Sequence, residues 1–117
     1  MKNYKFSYDK EFDDLFIFDS NSKSKGSVEL GDIILDFNTK KEFVGIQLMN
    51  ASRLFQDISG EINIDIILEH LKECRIETIT KNNLLIIKIF LISDKRQISP
   101  VLSVPNIIES SPALAYG

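Results

Sequence analysis

The sequence predicts an α+β fold in which two antiparallel β-meanders flank one central helix in two packed layers. Three observations carry this reading. Short runs rich in Ile, Val and Phe lie on both sides of residues 60–75, and such β-branched and aromatic runs suit a pleated surface. Between them Ile64, Ile67, Leu68, Leu71 and Cys74 recur at helical spacing, with Asp65, Glu69, Lys72 and Glu73 off that stripe. Clusters of Asn, Asp, Gly, Ser and Lys separate the runs at the places where hairpins need them.

In chain order, Asp9 to Asp14 is a polar turn feeding the strand Leu15-Phe16-Ile17-Phe18, and Asp19 to Gly26 is a loop. In the next strand Val28 and Leu30 are apolar at even positions but Ile33, Leu35 and Phe37 at odd ones. One inserted residue flips the faces, so a β-bulge or sharp bend is expected at Gly31-Asp32. Asn38 to Glu42 has hairpin-loop chemistry, and Phe43 to Met49 follows with Val44, Ile46 and Leu48 on one face. Gly45 has no side chain to pack, which predicts a bend or a close neighbour. Asn50 or Ser52 is placed to cap a short helical turn, and Ser59-Gly60 breaks the chain before a helix over about 64–73, with Asn63 as its N-cap.

The second meander covers 76–104: Ile76 to Lys81, a turn at Asn82-Asn83, Leu84 to Ser93, a turn at Asp94 to Arg96, and Gln97 to Val104. Pro100 makes the last of these an edge strand. Residues 1–105 are expected to form a single domain, its N-terminal meander over 4–49, with 106–117 as a flexible tail.

Composition narrows the functions. The chain has 117 residues, 44% hydrophobic and 26% charged, with a net charge of −3, so neither phosphate backbones nor anionic lipid are expected to attract it. Lys23/Lys25, Lys40/Lys41 and Lys95/Arg96 sit in predicted turns, where charge serves solvation. Neither nucleic acid nor membrane is an expected partner. The single cysteine, Cys74, fits a reducing compartment, no apolar run is long enough to cross a bilayer, and a cytoplasmic location follows.

Three blocks in order carry a resemblance. They are Tyr8-Asp9-Lys10-Glu11-Phe12-Asp13-Asp14-Leu15-Phe16-Ile17, Ile34-Leu35-Asp36-Phe37, and Val44-Gly45-Ile46-Gln47-Leu48-Met49-Asn50-Ala51-Ser52. Together they resemble a family of short bacterial and archaeal proteins of unknown function, in which the residue after Ile46 is often acidic; here it is Gln47. The resemblance covers Tyr8 to Ser52 and leaves the segment from Asp57 onward as an extension. Some short members look like partners of small toxin-like proteins, which implies an interaction role without assigning it to any residue.

Candidate chemistry is sparse. Asp9, Glu11 and Asp13 alternate, and with Asp36 they offer oxygen ligands to a hard cation. The competing reading is a solvated strand entrance with Asp9 in an Asx-turn, and Asp36 bonded to its own hairpin loop. His70, the lone histidine, falls between the apolar and polar faces of the predicted helix, and Cys74 packs as a small hydrophobe. No phosphate loop, nucleophile elbow or metal-binding histidine pair is present. No catalytic, cofactor or metal residue is therefore assigned, and no cofactor is expected.

The function expected is a non-enzymatic structural or regulatory interaction module, self-associating as a homodimer or binding a small protein partner. A small-ligand binding domain and a metal-dependent, hydrolase-like enzyme are the alternatives. The strand Leu84 to Ile92 motivates the first reading: Leu85, Ile87, Ile89 and Leu91 line one face, and Leu84, Ile86, Lys88, Phe90 and Ile92 line the other, as the expected interface.

Overall fold

The computed structural model describes residues 2–94 and 96–105; the tail expected over 106–117 lies outside the described residues. The described residues form nine strands and two short helices: β1 (Lys2–Asp9), β2 (Asp14–Phe18), β3 (Gly26–Leu30), β4 (Ile33–Phe37), β5 (Phe43–Leu48), α1 (Ala51–Ser59), α2 (Ile64–Glu69), β6 (Leu71–Lys81), β7 (Leu84–Ser93), β8 (Gln97–Ile98) and β9 (Val101–Pro105). Every pairing is antiparallel. The strand order is β3-β4-β5-β2-β1-β6-β7-β8, and β9 also pairs with β7.

The α+β expectation of two meanders around one central helix is therefore wrong. The protein is a mostly antiparallel β-sheet protein with two short helices, and one strand explains why the halves do not separate. Residues Lys5 to Asp9 of β1 pair with β2, while Lys2 to Tyr4 pair with Ile76 to Cys74 of β6. Tyr4, Phe6 and Tyr8 alternate and pack against the core, yet polar neighbours at every second position hid this strand. One cluster of buried residues unites Leu15, Ile17, Leu35, Phe37 and Ile46 with Cys74, Ile76, Ile87, Ile89 and Leu91.

The helical segment also needs correction. Ile64, Ile67 and Leu68 are buried as their spacing predicts, but α2 ends at Glu69 and Leu71 already starts β6. Leu71 and Cys74 fit the helical stripe only by coincidence, because an irregularity between Leu71 and Glu73 shifts the register of β6 against β7. The ten-residue partner β7 decides in favour of strand. Conversely, the short turn expected after Asn50 is the nine-residue α1, closed by Gly60 at φ 75° with its N–H donating to the Gln56 carbonyl.

Gly31-Asp32 is the two-residue turn of a hairpin, not a bulge within one strand, with Gly31 at φ 65°. Leu30 pairs with Ile33 and Val28 with Leu35. Residues flanking a two-residue turn share a face, so a hairpin reads along the chain as the same change of phase that a bulge would give. The Asn38 to Glu42 hairpin and the Asn82-Asn83 turn, with Asn82 at φ 56°, form where their residues predict. Pro100 separates β8 from β9, both at an edge beside β7. Among the described residues no helix is long and apolar enough to cross a membrane.

Candidate functional site

The acidic residues of the N-terminal blocks do not converge. Asp9 Oδ1 accepts from the N–H groups of Glu11 at 2.9 Å and Phe12 at 3.3 Å, an Asx-turn that shapes the β1–β2 connection. Asp36 stands near the far end of β4, opposite Gly45, and accepts from the Ser27 hydroxyl at 2.5 Å. The loop beside it is held by Asn38 instead, whose Oδ1 accepts from the N–H groups of Lys40 and Glu42. No group of three or more His, Cys, Asp or Glu side chains arranged to hold a metal ion is found among the described residues.

Asp13 has a different task. At φ 56° it turns the chain between β1 and β2 and aims its carboxylate at the start of α1. Both carboxylate oxygens accept from the Ser52 N–H at 3.1 Å, Oδ2 accepts from the Ser52 hydroxyl at 2.7 Å, and the Asp13 carbonyl accepts from the Ala51 N–H at 2.9 Å. The cap of α1 thus comes from 39 residues upstream rather than from Asn50, which sits at φ 53° and makes no side-chain cap bond. The Tyr8 hydroxyl donates to Asp13 Oδ1 at 2.5 Å. Burial first, then the Asp13 hydrogen bond and charge, push the Tyr8 phenol well above its ordinary value. Sequence reasoning placed Asp13 among possible cation ligands; the spacing that relates it to Ser52 is tertiary.

His70 closes α2, and its Nδ1 lies 2.9 Å from the Ile66 carbonyl, so that nitrogen carries a proton and donates. It borders an open groove of about 410 Å³ between β1 and α2, spanned by the Lys10–Glu69 ion pair at 3.2 Å. Cys74 is fully buried on β6, and burial with the nearby Glu73 charge pushes its thiol up to about 12. At neutral pH it is a thiol with no nucleophilic fraction to speak of.

The remaining candidate is the outward side of β6, β7 and β9. Leu85, Ile87, Ile89 and Leu91 point into the core, as the alternation of β7 predicts. On the other side Ile86 pairs with Ile79 and Ser103, Leu84 with Lys81 and Pro105, and Lys88 with Glu77 and Val101. Ile79 is 49% exposed, Leu84 44% and Val101 43%. Further along, Phe90 and Ile92 are half-buried opposite Arg75 and Glu73, with the Lys88 ammonium 5.0 Å from the Phe90 ring centroid.

Asp9, Asn38 and Asp13 thus act as turn-makers and a helix cap within an antiparallel β domain. The family is that of the "Protein of unknown function (DUF2283)", whose model matches residues 5–52, and the chain belongs to it. The uncharacterized protein MJ0789 of Methanocaldococcus jannaschii is 34% identical over 95 residues, covering 80% of this chain and 78% of that one. A Methanosarcina mazei protein named putative hypoxanthine phosphoribosyltransferase is 29% identical over 92 residues, 72% of this chain and 75% of that one. Both alignments are longer than the 5–52 segment, so the likeness extends beyond it. No solved structure matches the chain.

Proposed function

We propose that the protein is a non-enzymatic interaction module that works in the cytoplasm as a homodimer, through the outward side of its C-terminal sheet. The observation that supports this reading most is the apolar surface formed by the exposed Ile79, Leu84 and Val101 around the half-buried Ile86, rimmed by Glu77, Lys81 and Lys88. An apolar centre with a charged rim is the anatomy of a protein interface. Lys88, Phe90 and Ile92 extend the same side toward its more shielded end.

Phosphoribosyl transfer, suggested by the name of the Methanosarcina relative, has less support. Phosphate cradles use a glycine-rich loop opening onto free N–H groups at a helix start. Here the start of α1 already holds the Asp13 carboxylate, which repels a phosphate, and α2 is six residues long with Asp65 in its first turn.

Sedimentation equilibrium at tens of micromolar tests the proposal. The wild-type chain is expected to be a dimer, and Ile79→Glu a monomer with unchanged far-UV circular dichroism, since that side chain already meets water. A wild-type monomer overturns the reading.

A further inference from the structure

β6 is paired along only part of its outer edge. β1 reaches Ile76 through Lys2, and among the described residues no strand pairs with the edge of Glu77, Thr78, Ile79, Thr80 and Lys81 on that side. All five residues are exposed. Thr78 and Thr80 lie on the face that Cys74 and Ile76 bury further back, so this end of the hairpin projects past the core. An extended segment with unpaired N–H and C=O groups is a template for another strand.

The other two edges are less suited to this. β9 ends in Pro105 and follows Pro100, and proline cannot donate to a ladder. β3 begins with Gly26, and pairing it with its own copy about Val28 sets Ser27 against Glu29 and Gly26 against Leu30, with no opposite charges. The β6 segment, by contrast, is self-complementary. In an antiparallel pair about a two-fold axis, positions equally far from the centre face one another. Centred on Ile79, the axis sets Glu77 opposite the partner copy's Lys81, Thr78 opposite Thr80, and Ile79 opposite Ile79. Two opposite-charge pairs, two threonine pairs and a central isoleucine pair are combinations that stabilise cross-strand neighbours.

We propose that two copies of the chain join edge to edge through Glu77–Lys81 of β6, continuing the sheet across a two-fold axis at Ile79. The inference rests on the self-association proposed above, but places the contact on the β6 edge that borders the outward side instead of on that side itself. Ile86 and Ile79 of each copy then form one apolar row across the seam, so the two outward patches become a single surface. Like charges directly opposite one another are destabilising, so the charged pairs fix the register as well as the affinity.

Charge exchange tests this, with sedimentation equilibrium as readout and circular dichroism to verify folding. Glu77→Lys places lysines opposite one another at both ends of the seam, and Lys81→Glu places carboxylates there. Each alone is expected to raise the dimer dissociation constant about tenfold or more. An equimolar mixture of the two variants restores dimers, because each Lys then meets a Glu, and so does the double variant E77K/K81E. Lys81→Glu is the safer of the single variants, since Lys81 faces Leu84 within its own chain whereas Glu77 faces Lys88. Phe90→Glu, away from the seam, leaves the dimer intact. Wild-type affinity in both single variants, or loss of the dimer in Phe90→Glu, overturns the edge pairing while leaving the homodimer standing. A wild-type monomer overturns both proposals.

Discussion

Between Tyr8 and Ser52 the aspartates bond within the chain: Asp9 to its own turn, Asp13 to α1 and Tyr8, and Asp36 to Ser27 of the preceding strand. From Leu71 to Pro105 the long strands instead direct charge and apolar surface outward, with Glu77, Ile79, Lys81 and Leu84 all exposed. The segment that matches the family model thus spends its acidic side chains on its own turns and a helix start, whereas the contact surface proposed above lies outside that segment. A conspicuous polar motif is not by itself a reactive site, since turns and helix starts demand the same residue types.

The largest effect expected from breaking this contrast is at Asp13. Asp13→Ala removes both acceptors from Ser52, leaves the Tyr8 hydroxyl unpaired, and places alanine at φ 56°. Stability should fall by about 2–3 kcal/mol, read as the midpoint of urea denaturation. Asp13→Asn tolerates the backbone and keeps one acceptor, so it should lose less than half as much. An unchanged midpoint for Asp13→Ala would mean that the Asp13 carboxylate does not serve folding.

Much of the strand pattern was legible in the sequence because alternation and turn chemistry are local. The β4–β5 hairpin, the inward side of β7 and the edge position of the last strands all follow from residues a few places apart. What failed was non-local. β1 joins the halves only because β6 offers it a partner 70 residues away in sequence, and Asp13 becomes a cap only when β2 and β5 bring α1 beside it. The outward side of β7 was legible, with Leu84, Ile86, Lys88, Phe90 and Ile92 in the predicted alternation. That Glu77 to Lys81 have no paired neighbour on the β1 side among the described residues is likewise a tertiary relation, which no spacing in the sequence records.

A smaller effect is expected at Gly45, in the same half. A Cβ added there would lie 3.1 Å from the Ile17 carbonyl oxygen and 3.5 Å from Asp36 Oδ2. The first of these is backbone held in the sheet and cannot swing aside, so Gly45→Ala should cost about 1–2 kcal/mol, lowering the melting temperature by roughly 4–8 °C per kcal/mol. Thr78→Ala, on the projecting end of β6, should shift it far less. Equal shifts for the two variants would erase the distinction between a close-packed first half and a solvated hairpin end.

An effect absent at neutral pH, and so the smallest there, separates the halves as pH rises. Cys74 belongs to β6, and its thiol is raised from 9.0 to about 12 by burial and the Glu73 charge. Tyr8 belongs to β1, and its phenol is raised from 10.0 by burial and by Asp13. In both groups the folded state favours the neutral, protonated form more than the unfolded state does. Their contribution is therefore fully present below the unfolded value and is lost as pH rises toward the folded one. Thermal melts should begin to fall above pH 9 through Cys74 and steepen above pH 10 as Tyr8 joins. Cys74→Ala should start from a lower melting temperature, because it opens a small cavity, yet stay flat to about pH 10. Tyr8→Phe should keep the onset near pH 9 and lose the steepening. If Cys74→Ala declines from the same pH as wild type, the buried thiol of the second half is not what the alkaline limb reports.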